Sequence, residues 1–327
     1  MIVDDVERGT VRSAVELACR APSVHNSQPW LWRTGEQSLH LYADRSRWLP
    51  ATDADRRDLV LSCGAALHHL RVALAAAGVR ATVHRVPNPD DPDHLAAVGL
   101  HGEPVAEADL GLATAIPNRR SDRRAFSGWP VPEAFLRQLV ARAADQGALL
   151  RVIEDPRSRA GLMAAIREAE ALQEQVPGYR TEIAMWTGGR ADEDGVPAAN
   201  LLREAPTDPG HVARRFGEGE LEPGAGDEGD GAVLAVIGTA SDDRLSQLRA
   251  GEALSAVLLT ATEFGLAACP LSQPLEIGPT RLAIRDGVLD GTLSPQVVVR
   301  VGWAPPGPPL PQTPRRPVDD VLQRMPG

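Results

Sequence analysis

Two long stretches that are apolar on almost every side dictate how this chain can fold. Residues 53–79, DADRRDLVLSCGAALHHLRVALAAAGV, read as one helix closed at Gly78, and residues 251–269, GEALSAVLLTATEFGLAAC, read as a second. A helix without a polar face has no side to offer water, so each must lie at the centre of a packed unit. The two stretches also resemble each other, because in both a Gly is followed by Ala-Leu and by an apolar run that closes at another Gly. The order helix, strand, long buried helix, strand occurs twice, which points to two related halves packed together with a boundary near Pro117. A chain of 327 residues gives each half enough length for a core of its own.

The remaining pattern fits around these helices. Residues 11–20 carry apolar positions at helical spacing, and Pro22 ends that helix at Ala21. Short strands are expected at LWR and SLHLYAD around the Gly35 turn, then at ATVHRVP and HLAAVGLHG. A helix over 133–144, the strand ALLRVIE, a helix over 157–175 and the strands AVLAVIGT and PQVVVRVGWAP complete the second half. Between Trp186 and Gly231 the composition turns to Gly, Pro, Asp and Glu, with AANLLREA as one or two helical turns. This is expected to be a long mobile excursion of the kind that serves as a lid or binding loop.

Composition removes several chemistries. All 34 basic residues are Arg, so neither a Schiff-base lysine nor a phosphate-loop lysine exists. The 44 acidic residues give a net charge of −10, which argues against a nucleic-acid surface. Cys19, Cys63 and Cys269 are odd in number and far apart, so neither a disulfide framework nor a metal site is expected. The acidic N-terminus and the lack of an 18-residue uncharged apolar run point to a cytoplasmic protein with no membrane partner. The G-x-G-x-x-G match at Gly224, Gly226 and Gly229 precedes a strand and opens no helix, so it is no dinucleotide fingerprint. No G-x-S-x-G elbow is present. His68 and His69 sit mid-helix about 100° apart and read as core histidines rather than metal ligands.

The ten residues APSVHNSQPW are of another kind. Ser23, Asn26 and Gln28 are set on a turn bracketed by Pro22 and Pro29 directly after a helix, a layout suited to hydrogen bonding a flat heterocycle. A second cluster, Arg119-Arg120-Ser121-Asp122-Arg123 with Phe126 and Pro130-Val131 after it, supplies guanidinium groups and a hydroxyl that can hold a terminal phosphate. These two motifs resemble the A-P-S-x-x-N-x-Q-P-W and R-R-S-x-R-x-F signatures of the nitroreductase family of FMN-dependent oxidoreductases. Pro314-Arg315-Arg316-Pro317 is similar to the basic residues with which that family closes over the flavin phosphate, and Pro270-Leu271-Ser272-Gln273 to the turn it places near flavin N5.

The resemblance implies an α+β fold of two nitroreductase-like halves, mixed sheets flanked by helices. Residues 1–117 form the first half, and 118–327 the second with a lid-like insert over 186–231. The ring motif lies in the first half and the phosphate motif in the second, so the chain looks like the fused, Acg-like branch of the family, an intramolecular pseudo-dimer. It implies FMN as cofactor, with NADPH or NADH as electron donor and a nitroaromatic, quinone or other small unsaturated molecule as substrate. The alternative is an Acg-type protein that sequesters FMN without turnover. The implied cofactor contacts are Arg119, Arg120, Ser121, Arg123 and Arg315 or Arg316 at the phosphate, Pro22, Ser23, Asn26 and Gln28 at the ring and ribityl chain, and Leu271, Ser272 and Gln273 near N5. No side chain is assigned a catalytic role, because the flavin itself carries hydride chemistry. One A-P-S-x-x-N turn and one R-R-S-x-R cluster imply one flavin per chain and a monomer in solution, with a homodimer as the alternative.

Overall fold

The computed structural model describes residues 8–35, 38–102, 108–188, 194–204, 208, 210–224 and 229–325. The first half contains α1 (Arg8–Ala18), β1 (Trp30–Thr34), β2 (Ser38–Ala43), α2 (Arg57–Ala76), β3 (Val79–Arg85) and β4 (His94–Gly102). After α3 (Ala108–Ala115) the second half runs α4 (Glu133–Ala144), β5 (Leu149–Val152), α5 (Pro156–Gln173), α6 (Tyr179–Met185), β6 (Val233–Thr239) and α7 (Arg244–Glu263). It continues through β7 (Ala267–Leu271), α8 (Gln273–Glu276), α9 (Gly278–Gly287) and β8 (Ser294–Gly302) before the tail adds α10 (Val318–Val321) and β9 (Leu322–Arg324).

The repeat read from the two apolar helices is a repeat of topology. One sheet has the order β3-β4-β2-β1-β9 and the other β5-β6-β8-β7, so β7-β8-β6-β5 matches β3-β4-β2-β1 strand for strand. All pairings are antiparallel except β1 with β9, where Trp32 stands beside Leu322. The fold is therefore α+β, two related halves each built on its own sheet. The strand β9 crosses back from the end of the chain to the first half, which nothing in the sequence reading anticipated.

The seam between the halves is the crossing of α2 on α7. Gly64 and Gly251 each hold the eighth position of their helix. A Cβ on Gly64 would collide with the carbonyl oxygen of Leu248, and one on Gly251 with that of Leu61. The glycines thus allow backbone-to-backbone approach where any side chain would part the halves. One turn on, His68 Nδ1 and His69 Nδ1 both reach Ser255 Oγ at 2.7 Å. Burial lowers both histidines, His68 to about 3, so they stand neutral in the core as hydrogen-bonding groups. Glu252, fully buried, takes Arg71 and Arg85 from the other half.

Helix ends follow local chemistry. The Asp53 carboxylate accepts the amides of Asp58 and Leu59 at 3.1 and 2.9 Å, so α2 starts at Arg57, later than residue 53. Asp155 and Asp243 cap α5 and α7 in the same way through Ser158 N and Ser246 N. The stretch expected to be helical to residue 269 breaks at Gly265, whose φ of +75° turns the chain, and Ala267–Leu271 joins the sheet instead. Among the described residues α2 alone has the length and hydropathy of a membrane span, and it is the central core helix.

The insert also departs from expectation. Its described residues pack against the body instead of standing away from it, and 189–193, 205–207, 209 and 225–228, Gly226 among them, lie outside the described residues. AANLLREA contributes a single 3-10 turn, Ala198–Asn200. Asn200 Nδ2 donates to Pro311 O of the tail at 3.1 Å, and Arg47 of the first half pairs with Asp194. Such a segment is held by polar contacts to both halves, a feature composition does not encode.

Candidate functional site

A cavity of about 1190 Å³, its open mouth included, lies along the seam. Its walls come from the 22–26 turn, the start of α2, residues 116–123, the end of β7, the tail at 312–315 and the insert. The turn is shaped by strain. His25, Asn26 and Gln28 have φ of 49°, 55° and 51°, a left-handed conformation that costs each of them of order 1 kcal/mol and that the surroundings must hold.

Three polar side chains hold it. Ser23 Oγ accepts the amide of Gln28 at 2.9 Å, and Gln28 Oε1 accepts the amide of Arg316 at 2.8 Å. Asn26 Nδ2 donates to Gly195 O of the insert and Pro314 O of the tail, while its Oδ1 accepts from Arg315 Nη1 at 2.9 Å. One asparagine therefore ties the turn, the insert and the tail together.

Of the residues expected from sequence, Pro22, Ser23, Asn26, Arg119, Arg120, Ser121, Arg123, Leu271, Ser272 and Arg315 line the cavity. Gln28, Gln273 and Arg316 lie behind it. Gln28 is spent on the turn, and Gln273 Nε2 donates to Gln173 at 2.8 Å in the core. Arg316 turns to Gln28 O, Trp30 O and Asp44. Of these two neighbours only Arg315 lines the cavity. Trp30 and Phe126 are fully buried in the two cores.

The arginines divide into two groups. Around Arg315 gather Arg119, Arg20 and Arg120, with no carboxylate among its charged neighbours. Arg119 Nε and Nη1, Arg120 Nε and Arg315 Nε are buried donors without a hydrogen-bond partner. Burial lowers the Arg119 guanidinium to about 10 and that of Arg315 to about 9, with the neighbouring cations adding to the effect. Unpaired buried cations are expensive, and a dianionic group with several acceptor oxygens would relieve all of them at once.

Arg123 belongs to the other end. Its guanidinium lies 5.0 Å over the Phe216 ring, donates to Asn200 O at 3.1 Å, and has Arg214, Asp122 and the buried thiol of Cys269 as neighbours. Arg214 is paired with Glu276 and reaches Tyr179 Oη at 3.1 Å. His25 meets Phe216 edge-on at 5.4 Å, and burial with Arg214 and Arg123 nearby pushes it well below its usual value, leaving it neutral. Asp58 completes this end. Asp58, Arg214 and Phe216 were not singled out by the sequence, because the first sits at a helix start and the others in a segment without periodicity, and His25 occupies an unspecified position of the APSVHNSQPW motif. Among the described residues no group of three metal-ligating side chains occurs.

No protein-family model matches the chain. It is 47% identical over 321 residues, 96% of its length and 91% of the relative's, to “Putative NAD(P)H nitroreductase Rv3131” of Mycobacterium tuberculosis. The chain belongs to the nitroreductase family. A second relative from that organism, bearing the same activity in its name and the designation acg, is 40% identical over 330 residues, 98% of this chain and 96% of its own. A solved nitroreductase with bound FMN from Bacteroides fragilis aligns with a TM-score of 0.41 and 15% identity over 63% of this chain and 94% of its own. In this nitroreductase-family chain the turn lies in the first half and the arginine cluster at the start of the second, and the seam brings them to one cavity.

Proposed function

We propose that the cavity binds one FMN and that the protein is an oxidoreductase moving hydride from NAD(P)H to a small acceptor, a nitroaromatic, quinone or similar unsaturated molecule. The observation that carries this reading is the set of unpartnered buried donors on Arg119, Arg120 and Arg315, which a terminal phosphate would fill. When bound, FMN supplies two-electron transfer at its ring. The protein holds the phosphate with Arg119, Arg120, Ser121 and Arg315, and the ring lies toward Ser23, Asn26, Leu271 and Ser272. The division of the chain at Pro117 belongs to the same reading, and the repeated strand order supports it.

A specific observation favours a second reading. Val196, Asn200, Arg214 and Phe216 of the insert wall the cavity and are tied to the tail, Arg123 and Glu276. A protein so covered would store FMN and refuse nicotinamide. Anaerobic addition of NADPH or NADH to the yellow protein separates the two. The expected result is bleaching of the flavin band within seconds, and a band that persists with both donors would establish sequestration instead.

Because the interface between halves is satisfied within one chain, we also infer a monomer carrying one flavin. Light scattering and flavin absorbance read on one chromatographic peak should give one FMN and the mass of a single chain. Two flavins per chain, or one shared by two chains, would defeat the inference.

A further inference from the structure

Asp58 is the second residue of α2, lines the cavity, is 4% exposed, and leaves its Oδ2 without a hydrogen-bond partner. The cations near it are engaged elsewhere. Arg57 is directed to Asp242, Leu275 O, Pro295 O and Gln296, and Arg214 is paired with Glu276. Its other charged neighbours are the carboxyls of Asp53 and Glu276. Burial raises Asp53 to about 7 against the pull of the two backbone amides it accepts, whereas no hydrogen bond offsets the burial of Asp58 Oδ2, and Arg57 and Arg214 offset it only in part. Burial and the neighbouring acids push Asp58 well above the usual carboxylate range, which keeps it a carboxylic acid at neutral pH. Ser62, one turn along α2, lines the same wall and donates to Asp58 O at 2.6 Å.

We propose that Asp58 donates its carboxyl O–H to an acceptor oxygen on the substrate and delivers the proton that accompanies reduction. The proposal rests on the oxidoreductase reading above. A quinone becoming a hydroquinone gains two electrons and two protons. One proton arrives with the electron pair as hydride, originating from the nicotinamide. The other comes from the carboxyl group of Asp58, whose O–H bond breaks as a new O–H bond forms on the substrate oxygen. The carboxylate left behind, close to Asp53 and Glu276 and without a free cation, regains its proton from water. A preference follows for acceptors bearing an oxygen that gains a proton on reduction, quinones and nitro compounds, over acceptors that take electrons alone, such as ferricyanide.

Two measurements on wild-type protein and Asp58→Asn test this. In flavin-free protein at pH 7, infrared spectroscopy should show protonated carboxyl absorption that shifts on ¹³C labelling of aspartate and that loses the component due to Asp58 in the wild-type-minus-Asp58→Asn difference. In flavin-loaded protein, Asp58→Asn should slow reoxidation by a quinone roughly 100-fold, the scale of general acid catalysis, while reoxidation by ferricyanide changes far less. The wild-type quinone rate should fall as pH rises and that of the variant should not. Protonated-carboxyl absorption undiminished in the variant, or equal losses with both acceptors, would overturn the proposal. Failure of NADPH and NADH to reduce the wild-type flavin would overturn the oxidoreductase reading and the proton step together. The infrared result would still report where the proton sits.

Discussion

Replacement of Arg119 and Arg315 together by methionine yields a protein that folds yet purifies without flavin, and that resists urea better than the flavin-free parent. The two effects have one cause. Each guanidinium is buried among other cations, and Nε and Nη1 of Arg119 and Nε of Arg315 meet nothing in the protein. Each contact to a phosphate is worth about 1.5–3 kcal/mol, so losing two weakens FMN binding roughly 100- to 10,000-fold. In the absence of an anion the same charges cost stability, and an apolar side chain of similar length removes that cost. The pH dependence has a definite sign. A base whose folded value is depressed destabilises the protein most when it is charged in both states, so the penalty is full below about 9 for Arg315 and fades as pH rises through that value toward the ordinary arginine range. Urea midpoints of the two flavin-free proteins should therefore converge as the pH is raised above 9, and FMN titration at neutral pH gives the affinity. Unchanged flavin affinity, or a variant less stable than the flavin-free parent at neutral pH, would show that these arginines serve the fold rather than an anion.

Gly251→Ala is expected to cost about 3 kcal/mol, the upper end of what overpacking does to a core, although alanine favours a helix over glycine by up to about 1 kcal/mol. The new Cβ meets the backbone carbonyl of Leu61, which no rotamer change can move, so α2 and α7 must separate along the seam. Gly64→Ala should behave alike, since its Cβ would meet Leu248 O. Gly9→Ala on α1, where nothing lies within 4 Å, is the control and should be neutral or slightly stabilising. Urea unfolding followed by circular dichroism measures all three. Loss of flavin retention in the two core variants alone would add that the cavity needs the seam closed.

Local rules carried far along this chain. The apolar length of α2 and α7 demanded central burial, Pro22 limited α1, and the alternation in ATVHRVP and HLAAVGLHG gave β3 and β4. The paired Gly-x-Ala-Leu registers, met one turn apart in each helix, expressed a true correspondence that the strand orders repeat. The polar turn and the arginine cluster were visible because unusual residue types were crowded at fixed spacing.

The sequence by itself determined two halves, their central helices and the residue types that meet at the cavity, because periodicity and turn chemistry act over a few residues and are written where they act. Only the tertiary structure decided which residues face that cavity. Arg315 and Arg316 are chemically alike, and their different placements come from Asn26 capturing one and Asp44 the other. Asp58 reads as one more acid at a helix start until Arg57 and Arg214, its nearby cations, are seen engaged elsewhere. Arg214 and Phe216 reach the site from a segment with no periodicity, and β9 returns to β1 across almost 290 residues. Contacts of that kind depend on where distant backbone comes to rest, and that position is set by the packing of α2 on α7, on which residue spacing alone is silent.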